Sequence, residues 1–338
     1  MTRFFNPSVK WMLAFFLIVE GALLWVPEGL FTRTAHKRLA EIRADPAPMV
    51  QIFGDSVAES GLNENALGKN LQIPAGQIAN RAIPGTTVLC AQPCLARQIQ
   101  SGQAPKVIIL AYCPRSYALP FPAKFYGRIA SWSEFADARS QGITSMEWLY
   151  SLMCRGAFTL RYRQELNGLA RTGRGWDFWR PSRTPAVGFS ERSASLPDAP
   201  PRAQPARKIP VAFNAGFHAI AFHPPPEVGT ALGSFFTLAR EHGVRVLIVS
   251  MPKTSATQAY HEANGLNAAY DRFLAGLRQR YGAEILLREQ QALPTGDFSD
   301  GVHLTPEAAW RFSEKVNGLL RTWWAESGMT QAEPRRPR

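Results

Sequence analysis

Three short apolar runs, 49–53, 106–112 and 244–250, are separated by segments of helical periodicity, and this alternation constrains the fold more than any other feature. Runs so short and so rich in Val, Ile and Leu read as buried strands. The segment 88–100 lies between the first and second, and 228–242 precedes the third, closed by Gly243 as a helix C-cap. A helix over 268–281, a short strand over 284–287 and a closing helix over 306–327 continue the scheme. Strands that alternate with helices pack as a parallel sheet covered on both faces, so an α/β architecture is expected. At 338 residues and 46% hydrophobic content the chain can bury one substantial core, plus an appendage.

The first run stops at Gly54-Asp55-Ser56, which delivers a serine to the end of a strand. Residues 57–60 can open a helix there, and a helix start offers unpaired N–H groups to a developing oxyanion. A hydroxyl becomes a nucleophile only when a base takes its proton, so a histidine and a group to orient it are required. The segment 298–306 supplies both: Asp300 precedes His303 by one turn, and Thr305, Pro306 and Glu307 read as the capped start of a helix. The other histidines fit less well. His218 and His223 lie in a proline-rich loop at a spacing that suits neither a helix face nor a strand face, and His36, His242 and His261 read as surface helix residues.

The Gly54-Asp55-Ser56 block after an early strand, and Asp300 with His303 before the last helix, resemble the first and fifth blocks of the SGNH (GDSL-like) hydrolase superfamily. The resemblance implies a three-layer, flavodoxin-like fold with a Ser-His-Asp triad of Ser56, His303 and Asp300, serving an esterase, deacetylase or acyltransferase. Residues 80–87, from Asn80 to Thr87, are similar to the second block, which implies an oxyanion N–H from Gly85 beside that of Ser56. The third block departs from the pattern: where the superfamily has an asparagine, this chain reads Tyr112-Cys113-Pro114-Arg115-Ser116. A guanidinium is a strong donor to an oxyanion, so Arg115 is a candidate replacement. Asp55, Asn80 and Lys253 are candidate substrate contacts. For Lys253, at the C-terminal edge of the third run, an acidic ligand and a solvated loop position are both open readings.

The N-terminal run 11–26 is flanked by Trp11 and Trp25, carries Glu20 inside it and is preceded by Arg3 and Lys10. Two readings are open: an uncleaved signal anchor, which the absence of a small-x-small cleavage site favours, or a buried core helix, which its short length and internal acid favour. Basic residues on both sides leave orientation open by the positive-inside rule, and an extracytoplasmic catalytic domain is expected because anchored relatives of this superfamily modify envelope glycans. The layout is also similar to tethered proteins of alginate O-acetylation and of D-alanine transfer to teichoic acid. That similarity implies an acylated envelope polysaccharide as substrate, a membrane-bound O-acyltransferase as partner, and a place on the inner membrane.

The expected layout is an anchor over 1–30, a juxtamembrane helix and linker over 31–47, a catalytic domain over 48–328 interrupted by a proline-rich insertion at about 116–212, and a disordered tail over 329–338. A helix is expected over 146–172 within the insertion. Trp176-Asp177-Phe178-Trp179 also lies there; Trp176 and Trp179 could stack on a sugar, or the cluster could anchor a loop to the core. Cys90 and Cys94 could bridge or stand as separate buried thiols. No cysteine pair or histidine cluster supports a metal site, and no cofactor is expected. The net charge of +12 admits lipid headgroups or acidic glycans, but no nucleic-acid-binding pattern accompanies it, so nucleic acid is not an expected partner. The missing third-block asparagine motivates a rival reading, an accessory protein that keeps the fold and binds glycan or partner without turnover.

Overall fold

Among the described residues the strands are β1 (Val50–Gly54), β2 (Ile78–Asn80), β3 (Val107–Ala111), β4 (Arg245–Val249), β5 (Lys253–Thr254), β6 (Glu284–Leu287) and β7 (Ala292–Leu293). The structure is a computed structural model that describes residues 7–24, 30–44, 48–71, 73, 76–119, 130–140, 143–157 and 222–329. Five strands form one sheet in the order β2-β1-β3-β4-β6, and every neighbouring pair is parallel. The expected α/β class and parallel sheet are therefore present, in a flavodoxin-like order. Strands β5 and β7 form a separate parallel pair.

Side-chain direction alternates along a strand, and both sets are buried here. Val50, Ile52, Val107, Ile109, Ala111, Leu247 and Val249 share one apolar cluster with Val57, Phe298, Leu304, Phe312, Val316 and Leu320. The intervening Gln51, Phe53, Ile108, Leu110, Val246 and Ile248 are buried as well. A sheet covered on both faces needs strands with no polar alternation, which is why these segments read as continuous apolar runs.

The helices in chain order are α1 (Pro7–Leu24), α2 (Leu30–Ala44), α3 (Ser56–Gly61), α4 (Glu64–Gly68), α5 (Ala91–Gln100), α6 (Pro114–Ala118), α7 (Trp132–Ser140), α8 (Ser145–Gly156), α9 (Pro226–Glu241), α10 (Ser255–Ala263), α11 (Leu266–Tyr281) and α12 (Pro306–Glu326). Helix α12 packs on α3, α4 and β6, whereas α9 packs on α5, β4 and α11. On the α5 side Gln98 Nε2 donates to Gln51 Oε1 at 2.6 Å, a polar pair inside an otherwise apolar layer.

Backbone contacts group residues 1–36 with 122–186 as one unit and 37–121 with 187–338 as another. In the first unit Thr144 and Glu147 form a reciprocal capping box at the start of α8, and Arg155 lies 4.2 Å above the Trp132 ring. The expected helix over 146–172 is seen as α8, which ends at Gly156 with Ala157 as an extended C-cap; residues 158–172, Trp176 and Trp179 lie outside the described residues. The expected anchor is helical over Pro7–Leu24, 18 residues with Lys10 and Glu20 inside, and among the described residues no helix is long and apolar enough to cross a membrane. Cys90, Cys94, Cys113 and Cys154 are buried and form no disulfide.

Candidate active site

Strand β1 ends where the sheet order turns back on itself, with β2 on one side and β3 on the other, and ligands of open parallel sheets bind at the C-terminal edge of such a switch point. The loops after these strands converge there. Ile83 N–H donates to Gly54 O at 2.9 Å from the β2 side, and Ala111 is the register partner of Gly54 on the β3 side. A Cβ at Gly54 would overlap Ala58 Cβ and the Ala111 carbonyl oxygen, so only glycine admits this close turn from strand into α3.

Asp55 caps α3, its Oδ1 accepting from Val57 N–H at 2.8 Å. Ser56 follows as the first helical residue, half-buried at the sheet edge. The loop that carries Asp300 and His303 arrives from the far end of the chain and is pinned by its own backbone: Ser299 N–H donates to His303 O at 2.8 Å, Thr305 N–H donates to Asp297 O at 2.8 Å, and Phe298 bridges Leu304. Gly301 at φ 86° makes the turn inside it. The Thr305 side chain caps α12 on Ala308 N–H, with Pro306 at the first helical position.

Within that loop Asp300 Oδ1 accepts from the N–H groups of Val302 at 3.0 Å and His303 at 2.9 Å, and Asp300 Oδ2 meets His303 Nδ1 at 2.6 Å. His303 Nε2 lies 2.9 Å from Ser56 Oγ, across 247 residues of sequence. Partial burial pushes the Asp300 carboxyl up, but the hydrogen bond and positive charge of His303 and the two backbone N–H groups outweigh it and hold the group below 3.8, its ordinary value. Asp300 is thus an anion where an imidazolium would form. The structure brings Ser56, His303 and Asp300 into one hydrogen-bonded line.

Gly85 sits exposed at φ 74° in the turn after β2, and neither its N–H nor that of Ser56 has a protein acceptor among the described residues. Arg115 is half-buried in the first turn of α6, in the loop after β3.

Three candidate substrate contacts, Asp55, Asn80 and Lys253, are buried and engaged by protein groups. Asp55 is 5% exposed, and both carboxylate oxygens are engaged, the second by Ser116 Oγ and by Cys113 Sγ at 3.6 Å. Asn80 is 3% exposed; its amide donates to Ala58 O at 3.0 Å and Leu62 O at 2.9 Å and accepts from Ala82 N–H at 3.1 Å, tying α3 to the β2 loop. Lys253 is not a solvated loop residue: it is buried, with Nζ 2.6 Å from Asn267 Oδ1 and 3.1 Å from His261 Nδ1. Burial lowers that ammonium to about 8. His261, expected at a helix surface, is buried as its partner.

Sequence reading also missed three side chains around the turn that carries Ser56. Ser116 and Cys113 belong to the third-block segment, where a polar pair after a buried strand was the available signal. Glu59, one turn beyond Ser56, is buried with no hydrogen-bond partner on either carboxylate oxygen among the described residues, and Arg38 Nη2 is 4.0 Å away. Burial pushes its carboxyl up to about 8. No family model matches the chain, and no curated protein matches it.

Proposed function

We propose that this protein is a membrane-anchored serine esterase or O-acyltransferase of the SGNH type, acting on acyl esters of an envelope polysaccharide. The observation that carries the reading is the continuous line from Ser56 Oγ through His303 to Asp300, at 2.9 and 2.6 Å. Ser56 Oγ attacks the ester carbonyl carbon while its proton passes to His303 Nε2, and Asp300 holds Nδ1–H and stabilises the imidazolium. The Ser56 and Gly85 N–H groups, with Arg115, are proposed to receive the oxyanion. Collapse breaks the ester bond, His303 returns the proton to the departing alkoxide, and the acyl group stays on Ser56. Water or a sugar hydroxyl then attacks the acyl-enzyme through the same histidine.

Support for the membrane assignment comes from α1, on which Trp11, Phe15, Leu17 and Ile18 are 75%, 69%, 59% and 69% exposed, a set of side chains suited to lipid. Polysaccharide specificity and a membrane-bound O-acyltransferase partner rest on the resemblance of the serine and histidine blocks. The test is labelling with a fluorophosphonate probe, followed by release of acetate from a small acetyl ester with and without an oligosaccharide. Labelling of wild type but not of Ser56→Ala, with release accelerated by the oligosaccharide, is expected. No labelling of either protein would replace the enzyme with a glycan-binding or partner-binding role.

A further inference from the structure

The third-block segment lacks the asparagine of the resembling family, yet it is not idle. It runs from β3 into α6, where Ser116 N–H donates to Cys113 O at 2.9 Å and folds the first turn back on itself. That turn places two side chains against one buried carboxylate. Ser116 Oγ donates to Asp55 Oδ2, while Cys113 Sγ lies 3.6 Å from the same oxygen and 3.5 Å from Ser116 Oγ. Ser116 and Asp55 are 4% and 5% exposed, so water does not replace these bonds. Burial pushes the Cys113 thiol up to about 12, which keeps it protonated and able to donate.

Asp55 is thereby held at both ends. Its other oxygen caps Val57 N–H at 2.8 Å, the residue after the nucleophile, and Gly54 before it has no room for a side chain. The loop after β3 grips the strand-to-helix turn that carries Ser56. We propose that Ser116, assisted by Cys113, is a positioning residue for the reaction: it fixes Asp55, and through Asp55 the start of α3, so that Ser56 Oγ stays in line with His303 Nε2. The proposal rests on the serine-hydrolase reading and assigns the divergent segment a part in it. A misplaced nucleophile loses rate in the chemical step while small-ester binding is little changed, so the signature is a fall in kcat with KM held.

The experiment compares wild type, Ser116→Ala and Ser116→Thr in the full-length protein, each verified as folded by its thermal unfolding midpoint. Expected for Ser116→Ala is a fall of about 10- to 100-fold in kcat and in the rate of fluorophosphonate labelling, with KM within about twofold, and recovery of most of that loss in Ser116→Thr. Labelling of Ser116→Ala at the wild-type rate, or equal rates in the alanine and threonine variants at equal stability, overturns the proposal. The His303 ring resonances in NMR spectra separate it from the parent reading. Should wild type itself show no labelling, the esterase reading fails, and the resonances still decide: a shift in Ser116→Ala that Ser116→Thr reverses upholds positioning, and identical spectra in all three end it.

Discussion

At the scale of single residues, the contrast between two carboxylates shows how environment assigns roles. Asp300 lies beside a histidine and two backbone N–H groups, and its carboxyl is held below its ordinary value. Its contribution to stability is therefore present above 3.8 and lost only as pH falls through the lower folded value. Between pH 5 and 8 Asp300 stays ionised, so Asp300→Asn, which removes the charge that orients and stabilises the imidazolium, should lower kcat by about 1,000-fold or more at neutral pH in a rate assay. Glu59 behaves oppositely. Burial raises its carboxyl from 4.5 to about 8 with only Arg38 to oppose the shift, so the native state binds a proton that the unfolded state has released between those values. Stability is then full below 4.5 and falls as pH rises toward 8. Replacing Glu59 with Gln should leave the unfolding midpoint unchanged at pH 4.5 and raise it at pH 8, by on the order of 3 kcal/mol in chemical denaturation. Of these residues, the local sequence announced Asp300, His303 and Ser56, because an acid one turn before a histidine and a serine at a strand end are short-range patterns. It did not announce that Lys253 and His261 bury one another, since the depth of a polar side chain is set by what packs over it from elsewhere in the chain.

Among elements, the long ones follow periodicity closely and the short ones do not. The strand at 284–287 was expected where β6 stands, and the helices at 228–242, 268–281 and 306–327 differ from α9, α11 and α12 by two residues or fewer at each end. By contrast α4, α6, α7, α10 and the β5–β7 pair carried no signal, because five to nine residues complete too few turns, and two too short a strand, to display a period. The expected helix at 88–100 begins as a 3-10 turn at Val88–Cys90 before α5, with Pro93 in the first α-turn, where a missing N–H costs little. The turn from β1 to α3 is the element whose geometry leaves least freedom. Gly54→Ala should destabilise by about 3 kcal/mol or more, because the added methyl meets a backbone carbonyl and a short side chain that cannot rotate away. Loss of the cooperative thermal transition, or a midpoint lowered by about 5 °C or more, would register it.

For the molecule as a whole, the decisive event is the docking of α12 onto α3 and α4. Asn63 N–H donates to Ser313 Oγ at 2.8 Å, and Asn317 Nδ2 donates to Lys69 O at 2.9 Å and to Leu67 O. These bonds join the last helix to the segment that follows Ser56, over a bed of Val316, Leu320, Leu62 and Leu67. Asn317→Ala should leave the buried Leu67 carbonyl and the part-buried Lys69 carbonyl without their donor and cost about 2 kcal/mol in urea unfolding. The sequence by itself determined the α/β alternation, the strand ends, the helix caps and the pairing of Asp300 with His303, because each depends on residues a few positions apart. Only the tertiary structure decided that His303 reaches Ser56, that Asp55 and Asn80 are buried in the framework, and that Ser116 Oγ donates to Asp55 beside Ser56. Those outcomes depend on contacts between segments up to 247 residues apart, and it is the packing of apolar faces on both sides of one sheet that brings them together.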